Sequence, residues 1–167
     1  MLNPKSHPGS LAPLRGVGGH THHALYAALL SGLAATGAAH ADGTRIEPDG
    51  STATTVDTSG STSTVTTATT QGANAFNSFS DFRVGKGHRA NLKLPEGTAR
   101  LINLVHDSRA VVDGTVNALK DGSIGGDVVF ADPHGFVVGA SGTLNVGSLG
   151  VATPREAFMD RVIGPDG

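Results

Sequence analysis

The chain of 167 residues carries 12 basic and 14 acidic side chains, for a formal charge of −2, and is 38% hydrophobic with no Trp, one Tyr and six Phe. So few large residues beside 24 glycines disfavour a helical bundle and suit short strands joined by tight turns. Without a basic excess no nucleic-acid partner is expected, and without cysteine neither a disulfide nor a thiolate metal site can form.

Residues 1–41 have the pattern of a cleaved signal peptide. Lys5 and Arg15 supply a positive start, and the uncharged apolar run Ala24 to Ala39 follows. Ala39-His40-Ala41 then gives the small-x-small site that signal peptidase accepts, which places the cut before Asp42. The apolar run is shorter than the roughly 20 residues a transmembrane helix needs. Its removal with Lys5 and Arg15 leaves ten basic against fourteen acidic side chains. His20, His22 and His23 lie inside the leader, so no metal or cofactor is assigned to them.

Residues 42–72 form a Ser/Thr-rich segment, with 14 Ser or Thr among the 20 residues from Ser51 to Thr70. Disorder is the alternative for such a composition. Thr54-Thr55-Val56 and Thr64 to Thr67 are nevertheless β-prone, with Ser59-Gly60 as a turn between them, so extended capping strands are expected.

Residues 73–152 read as a run of short strands. Phe76, Phe79, Phe82 and Val84 precede the turn Gly85-Lys86-Gly87; Leu92 and Leu94 alternate with polar neighbours before Pro95-Glu96-Gly97. Apolar stretches recur at Leu101 to Val105, Val111-Val112, Val116 to Leu119, Ile124 to Phe130, Phe136 to Val138 and Leu144 to Val151. Asp-Gly, Gly-Gly and Pro-x-Gly corners separate them. One internal echo stands out: Asp113-Gly114-Thr115-Val116-Asn117-Ala118 recurs as Ser141-Gly142-Thr143-Leu144-Asn145-Val146, 28 residues later. Such a period points to stacked coils, each too small to bury its apolar face alone. A β-sandwich of hairpins is the alternative.

Residues 153–167 change character. Thr153-Pro154-Arg155-Glu156 suggests an N-cap, a first-turn proline and a capping box, with Phe158/Val162 and Met159/Ile163 at i, i+4 spacing and Gly164-Pro165 as a stop. A helix from Pro154 to Ile163 is expected, and the end of the chain just after it is read as that of a truncated fragment.

Catalytic patterns are weak. Asp113 and Asp121 precede glycine and, with Asp127, are read as corner residues rather than a carboxylate cluster. His106-Asp107-Ser108 contains triad residue types, but adjacency in sequence says nothing about triad geometry, and the segment is read as a solvated bend.

Ala73-Asn74-Ala75-Phe76-Asn77-Ser78-Phe79-Ser80-Asp81-Phe82 followed by Ile102-Asn103-Leu104-Val105, together with Asp132-Pro133-His134-Gly135-Phe136-Val137-Val138-Gly139 and Leu144 to Leu149, resembles the start of the filamentous haemagglutinin-like exoproteins. The nearest branch of these two-partner secretion passengers is similar to the leukotoxin-like filamentous adhesins. The resemblance covers roughly Gly50 to Gly167. It implies an all-β fold: a right-handed parallel β-helix with amino-terminal capping strands and a short C-terminal helix. It also implies an amino-terminal secretion domain, not an enzyme, recognised by a cognate outer-membrane transporter after Sec export into the periplasm. Delivery to the surface or surroundings of a Gram-negative cell would follow, with a downstream passenger serving adhesion, biofilm contacts or a host receptor.

The family's N-P-N-G-I motif maps onto Asp132, Pro133, His134, Gly135 and Phe136, with Asp and His in place of the two asparagines. Its N-P-N-L motif is absent; Asn91-Leu92 and Asn103-Leu104 are partial echoes. The rival function is a secreted β-helix polysaccharide lyase or hydrolase. A self-folding autotransporter passenger is a third possibility.

Overall fold

A computed structural model describes residues 43–163. The expected cleavage site at Ala39, Ala41 and Asp42, the leader histidines and the Gly164-Pro165 stop lie outside them. Among the described residues, fourteen strands and one short helix are arranged as a parallel β-solenoid of about three turns.

Three stacked faces build the solenoid. The first contains the early part of β5 (Asn74–Val84), then β7 (Arg100–Val105), β11 (Asp127–Ala131) and β14 (Ser148–Ala152), all parallel. The end of β5, β8 (Ala110–Val112) and β12 (Phe136–Val138) form the second. The third stacks β3 (Thr62–Thr67), β6 (Arg89–Lys93), β9 (Thr115–Lys120) and β13 (Thr143–Asn145). The 28-residue echo is this third face: Thr115, Val116 and Asn117 pair with Thr143, Leu144 and Asn145. Its glycines are equivalent corners. A Cβ on Gly114 would collide with the carbonyl oxygens of Gly85 and His88, and one on Gly142 with that of Val112.

The Ser/Thr-rich segment is ordered. β2 (Thr54–Ser59) pairs antiparallel with β3, turning at Gly60, while β1 (Arg45–Pro48) and β4 (Thr70–Gln71) pair antiparallel with β5. Antiparallel strands therefore cover the free edges of the first coil, where a parallel edge would otherwise invite pairing with another chain. β3 itself is a parallel rung and belongs to the stack.

Alternation drives the packing. Ala75, Phe79, Leu101, Val105, Val128 and Phe130 of the first face meet Ala90, Leu92, Val116 and Ala118 of the third in one buried cluster. Phe79, Phe82, Phe130 and Phe136 run through it as successive ring contacts of 5.2, 5.1 and 4.7 Å. Polar side chains inside are linked from coil to coil. Thr54 donates to Asn77 Oδ1, Asn77 Nδ2 to Asn103 Oδ1, and Asn103 Nδ2 to the Val129 carbonyl. Half-buried on the third face, Asn145 donates to Asn117 and Asn117 to Asn91 at 2.8 and 2.9 Å. Such amide ladders satisfy donors and acceptors and pin the register of one coil on the next.

Three expected elements are corrected. Ile124 to Phe130 is two strands: β10 (Ser123–Ile124) folds back antiparallel on β9, and β11 starts after Gly125-Gly126. Leu144 to Val151 is likewise broken at Val146-Gly147 into β13 and β14. The helix α1 spans Glu156–Val162 rather than starting at Pro154, and Arg155 sits at its N-cap without a side-chain capping bond. Glu156 turns away from the helix start to meet His106.

His88 is buried, with Nε2 3.0 Å from Ser63 Oγ and Nδ1 without a partner. Desolvation lowers its pKa below the ordinary 6.5, because a charged ring would leave a buried N–H unsatisfied. The unfolded chain takes up this proton at about 6.5 and the folded chain only at lower pH. The stability contributed by the neutral ring is thus complete above 6.5 and is lost as pH falls from there towards the folded pKa. Thermal midpoints at pH 7.5 and 5.5 should show a decline on acidification, and His88→Gln should make that decline smaller. An unchanged slope in the variant would assign the acid sensitivity elsewhere.

Candidate functional site

The corner joining β11 to β12 is built around a buried carboxylate. Asp132 is fully buried, and both of its oxygens accept backbone N–H groups at 2.7 Å: Oδ1 from His134 in its own turn, Oδ2 from Ala110 in the preceding coil. The turn closes with Gly135 N–H on the Asp132 carbonyl at 3.1 Å. Ala110 N–H also reaches the Gly135 carbonyl, and Arg109 Nε donates to that of His134. Two N–H donors on two oxygens suit a carboxylate. An amide offers one acceptor oxygen and would face one of these donors with its own NH₂. Aspartate in place of the motif's first asparagine therefore has a structural reason.

The remaining corner residues divide by exposure. Gly135 has φ 96°, and a Cβ there would find nothing nearer than Arg109 Nε at 4.0 Å, so a side chain would cost backbone strain rather than collision. Phe136 turns inward and stacks on Phe130 at 4.7 Å, and Pro133 is half-buried. His134 points outward: its ring is half exposed, with Nδ1 3.7 Å from Asp132 Oδ1. The corner thus presents one aromatic, titratable side chain on a backbone fixed from both sides.

A second polar cluster escapes notice in the sequence. Ser78 Oγ donates to Asp49 Oδ2 at 2.6 Å; His106 Nε2 lies 3.1 Å from Ser78 Oγ, and His106 Nδ1 lies 2.9 Å from Glu156 Oε1. It joins a capping segment, two coils and the helix. Burial pushes the Asp49 carboxyl up, but hydrogen bonds from Ser78 and Ser51 and the nearby His106 ring outweigh this and hold it below the ordinary aspartate value. The reading of His106-Asp107-Ser108 as a solvated bend is corrected at its first residue, whose side chain is only 14% exposed.

Ser78, His106 and Glu156 have the connectivity of a hydrolase triad, yet the serine is fully buried and its proton is directed to Asp49. The cleft of about 260 Å³ beside α1 is lined by Ile102, Leu104, Val129, Ala131, Ala152, Pro154, Phe158, Met159 and Val162, which include no acid, base or nucleophile. Nor do the three corner aspartates work together: Asp121 has φ 52° in the β9–β10 turn, Asp127 accepts from Ser148, and Asp113 binds through its backbone to Val84.

Among families of known proteins, the sequence model of the TPS secretion domain, the two-partner secretion module, matches residues 44–162, from just before β1 to the end of α1. No curated protein and no solved structure has significant similarity to the chain.

Proposed function

Because the chain belongs to the TPS secretion domain family, we propose that the Asp132–Phe136 corner is the feature its outer-membrane transporter recognises, with His134 as the contacting side chain. The family is a transport-related, non-catalytic one, whose members engage an outer-membrane transporter and are delivered outside Gram-negative cells. The observation that carries the proposal is the outward His134 ring on a backbone fixed by Asp132, Arg109 and Ala110. A rigid, preformed projection loses little entropy on binding.

The wider reading is that residues 1–41 direct Sec export, residues 42–72 cap the solenoid, and residues 73–152 nucleate β-helix folding outside the cell. Residues 153–167 would then lead into an adhesive passenger. Absence of cysteine leaves nothing to cross-link before passage through a pore. Leu149, Val151, Val137 and Val138 remain 40–50% exposed at the last rungs, where another coil would bury them. Each coil added buries apolar area at about 25 cal/mol per Å², and solenoid stability grows by such nearest-neighbour steps. Folding on the outer side would thereby draw the chain outward.

The test co-expresses each variant with the cognate transporter and compares the secreted fraction with the thermal midpoint of the purified protein. His134→Ala should lower secretion severalfold while leaving the midpoint within a degree or two, since the turn bonds are backbone and Asp132 bonds. Normal secretion of His134→Ala would remove the side-chain role. Gly135→Val should cost about 1–3 kcal/mol through strain. A secretion loss in mere proportion to that stability loss would make the corner structural.

A further inference from the structure

We propose that His106, Glu156 and Asp160 form a binding site for a divalent cation of the zinc type, which clasps α1 to the second coil. Their ligand atoms lie within 4.8 Å of one another. Glu156 and Asp160 are four apart on one helix, so both carboxylates face the same side, and His106 approaches from the turn after β7. One imidazole nitrogen, two carboxylates and an open position for water match the three-ligand arrangement zinc accepts.

The surroundings of the ring supply a second observation. Ser78 Oγ donates to Asp49 Oδ2 at 2.6 Å and lies 3.1 Å from His106 Nε2. On the other side of the ring, His106 Nδ1 lies 2.9 Å from Glu156 Oε1, with the Asp160 carboxylate within 4.8 Å. A cation there would be held by Nδ1 and the two carboxylates. Nε2 beside Ser78 Oγ, itself bonded to the Asp49 carboxylate, is the kind of far-side support that orients metal-binding histidines. Bonds of about 2.0–2.1 Å place tetrahedral ligands about 3.3 Å apart. The half-exposed Glu156 side chain then moves outward by a few tenths of an ångström, and the Asp160 carboxylate, within 4.8 Å of the other ligand atoms, closes in by up to about 1.5 Å. A direct His106–Glu156 ion pair uses the same contact, and the experiment separates the two.

Zn²⁺ is titrated into the full chain by calorimetry near neutral pH, and Co²⁺ is followed by its visible absorption. One equivalent should bind at this site and raise the thermal midpoint. Glu156→Gln and Asp160→Asn alter exposed helix positions that leave the core intact, and each should weaken binding at least tenfold. Ser78→Ala, which removes the support of the ring together with the bond to Asp49, should weaken it 10–100-fold. Replacing His20, His22 and His23 by alanine should leave this equivalent in place. The proposal is overturned if Zn²⁺ leaves the midpoint unchanged, if the leader triple variant abolishes binding, or if Glu156→Gln and Asp160→Asn bind as tightly as the parent. The first outcome would leave the direct His106–Glu156 contact as the clasp of α1.

Discussion

Phe82→Ala is expected to destabilise the solenoid by about 3–5 kcal/mol, the range for deleting a fully buried aromatic ring. Phe82 is fully buried and touches Phe79 at 5.2 Å and Phe130 at 5.1 Å, so it bridges rings from the first and third coils. Removing it opens a cavity in the middle of the aromatic series and loosens coils on both sides. Urea unfolding of the variant should show this as a large drop in midpoint. Phe158→Ala is the control: that ring is 55% exposed on α1, and its loss should stay within about 0.5 kcal/mol. A Phe82 effect under about 1 kcal/mol would mean that the aromatic series does not organise the core.

The second large effect lies at the echoed glycines. In Gly114→Ala the added methyl meets the carbonyls of Gly85 and His88 and lies 2.9 Å from Val84 Cγ1. Those carbonyls are already engaged, Gly85 by His88 N–H and His88 by Thr115 N–H at 3.0 and 2.9 Å. The corner can yield only by stretching the bonds that hold the third face in register. A cost of about 1–3 kcal/mol or more follows, as for other forced overpacking. Gly142→Ala should behave alike, because its methyl meets the Val112 carbonyl and Val138 Cγ1. Gly125→Ala, whose methyl reaches only Lys120 Cβ at 4.0 Å, should be nearly neutral. Equal stability of all three variants in thermal unfolding would contradict the close-approach explanation.

These glycines also show what a reader of the sequence can recover. Gly114-Thr115-Val116-Asn117 and Gly142-Thr143-Leu144-Asn145 repeat because each coil must turn the same corner and stack the same rung, so a local pattern records a long-range contact. The Thr-rich hairpin was legible for a similar reason, since β-branched residues flank a glycine turn. Where glycine punctuation falls inside an apolar run, hydropathy alone joined two strands, as at Gly125-Gly126 and Val146-Gly147. The helix starts later than the local pattern suggests, and Glu156, expected in a capping box, instead meets His106, fifty residues away in sequence.

The candidate corner was visible through its turn chemistry and its likeness to a known motif. The reason for aspartate there was not, because it depends on the Ala110 N–H of another coil. The cluster of Asp49, Ser78, His106 and Glu156 was invisible altogether. Its members come from a cap loop, two different coils and the helix, at spacings that repeat nowhere in the chain.

The central claim is that this chain is a secretion module served by a dedicated outer-membrane partner. Its most direct measurement is the amount of protein outside the cell when the full chain is expressed with and without its cognate transporter, with periplasmic protein quantified in parallel. With the transporter, folded protein should accumulate in the medium or on the surface. Without it, the chain should be retained in the periplasm. Equal release in both cultures would contradict the account.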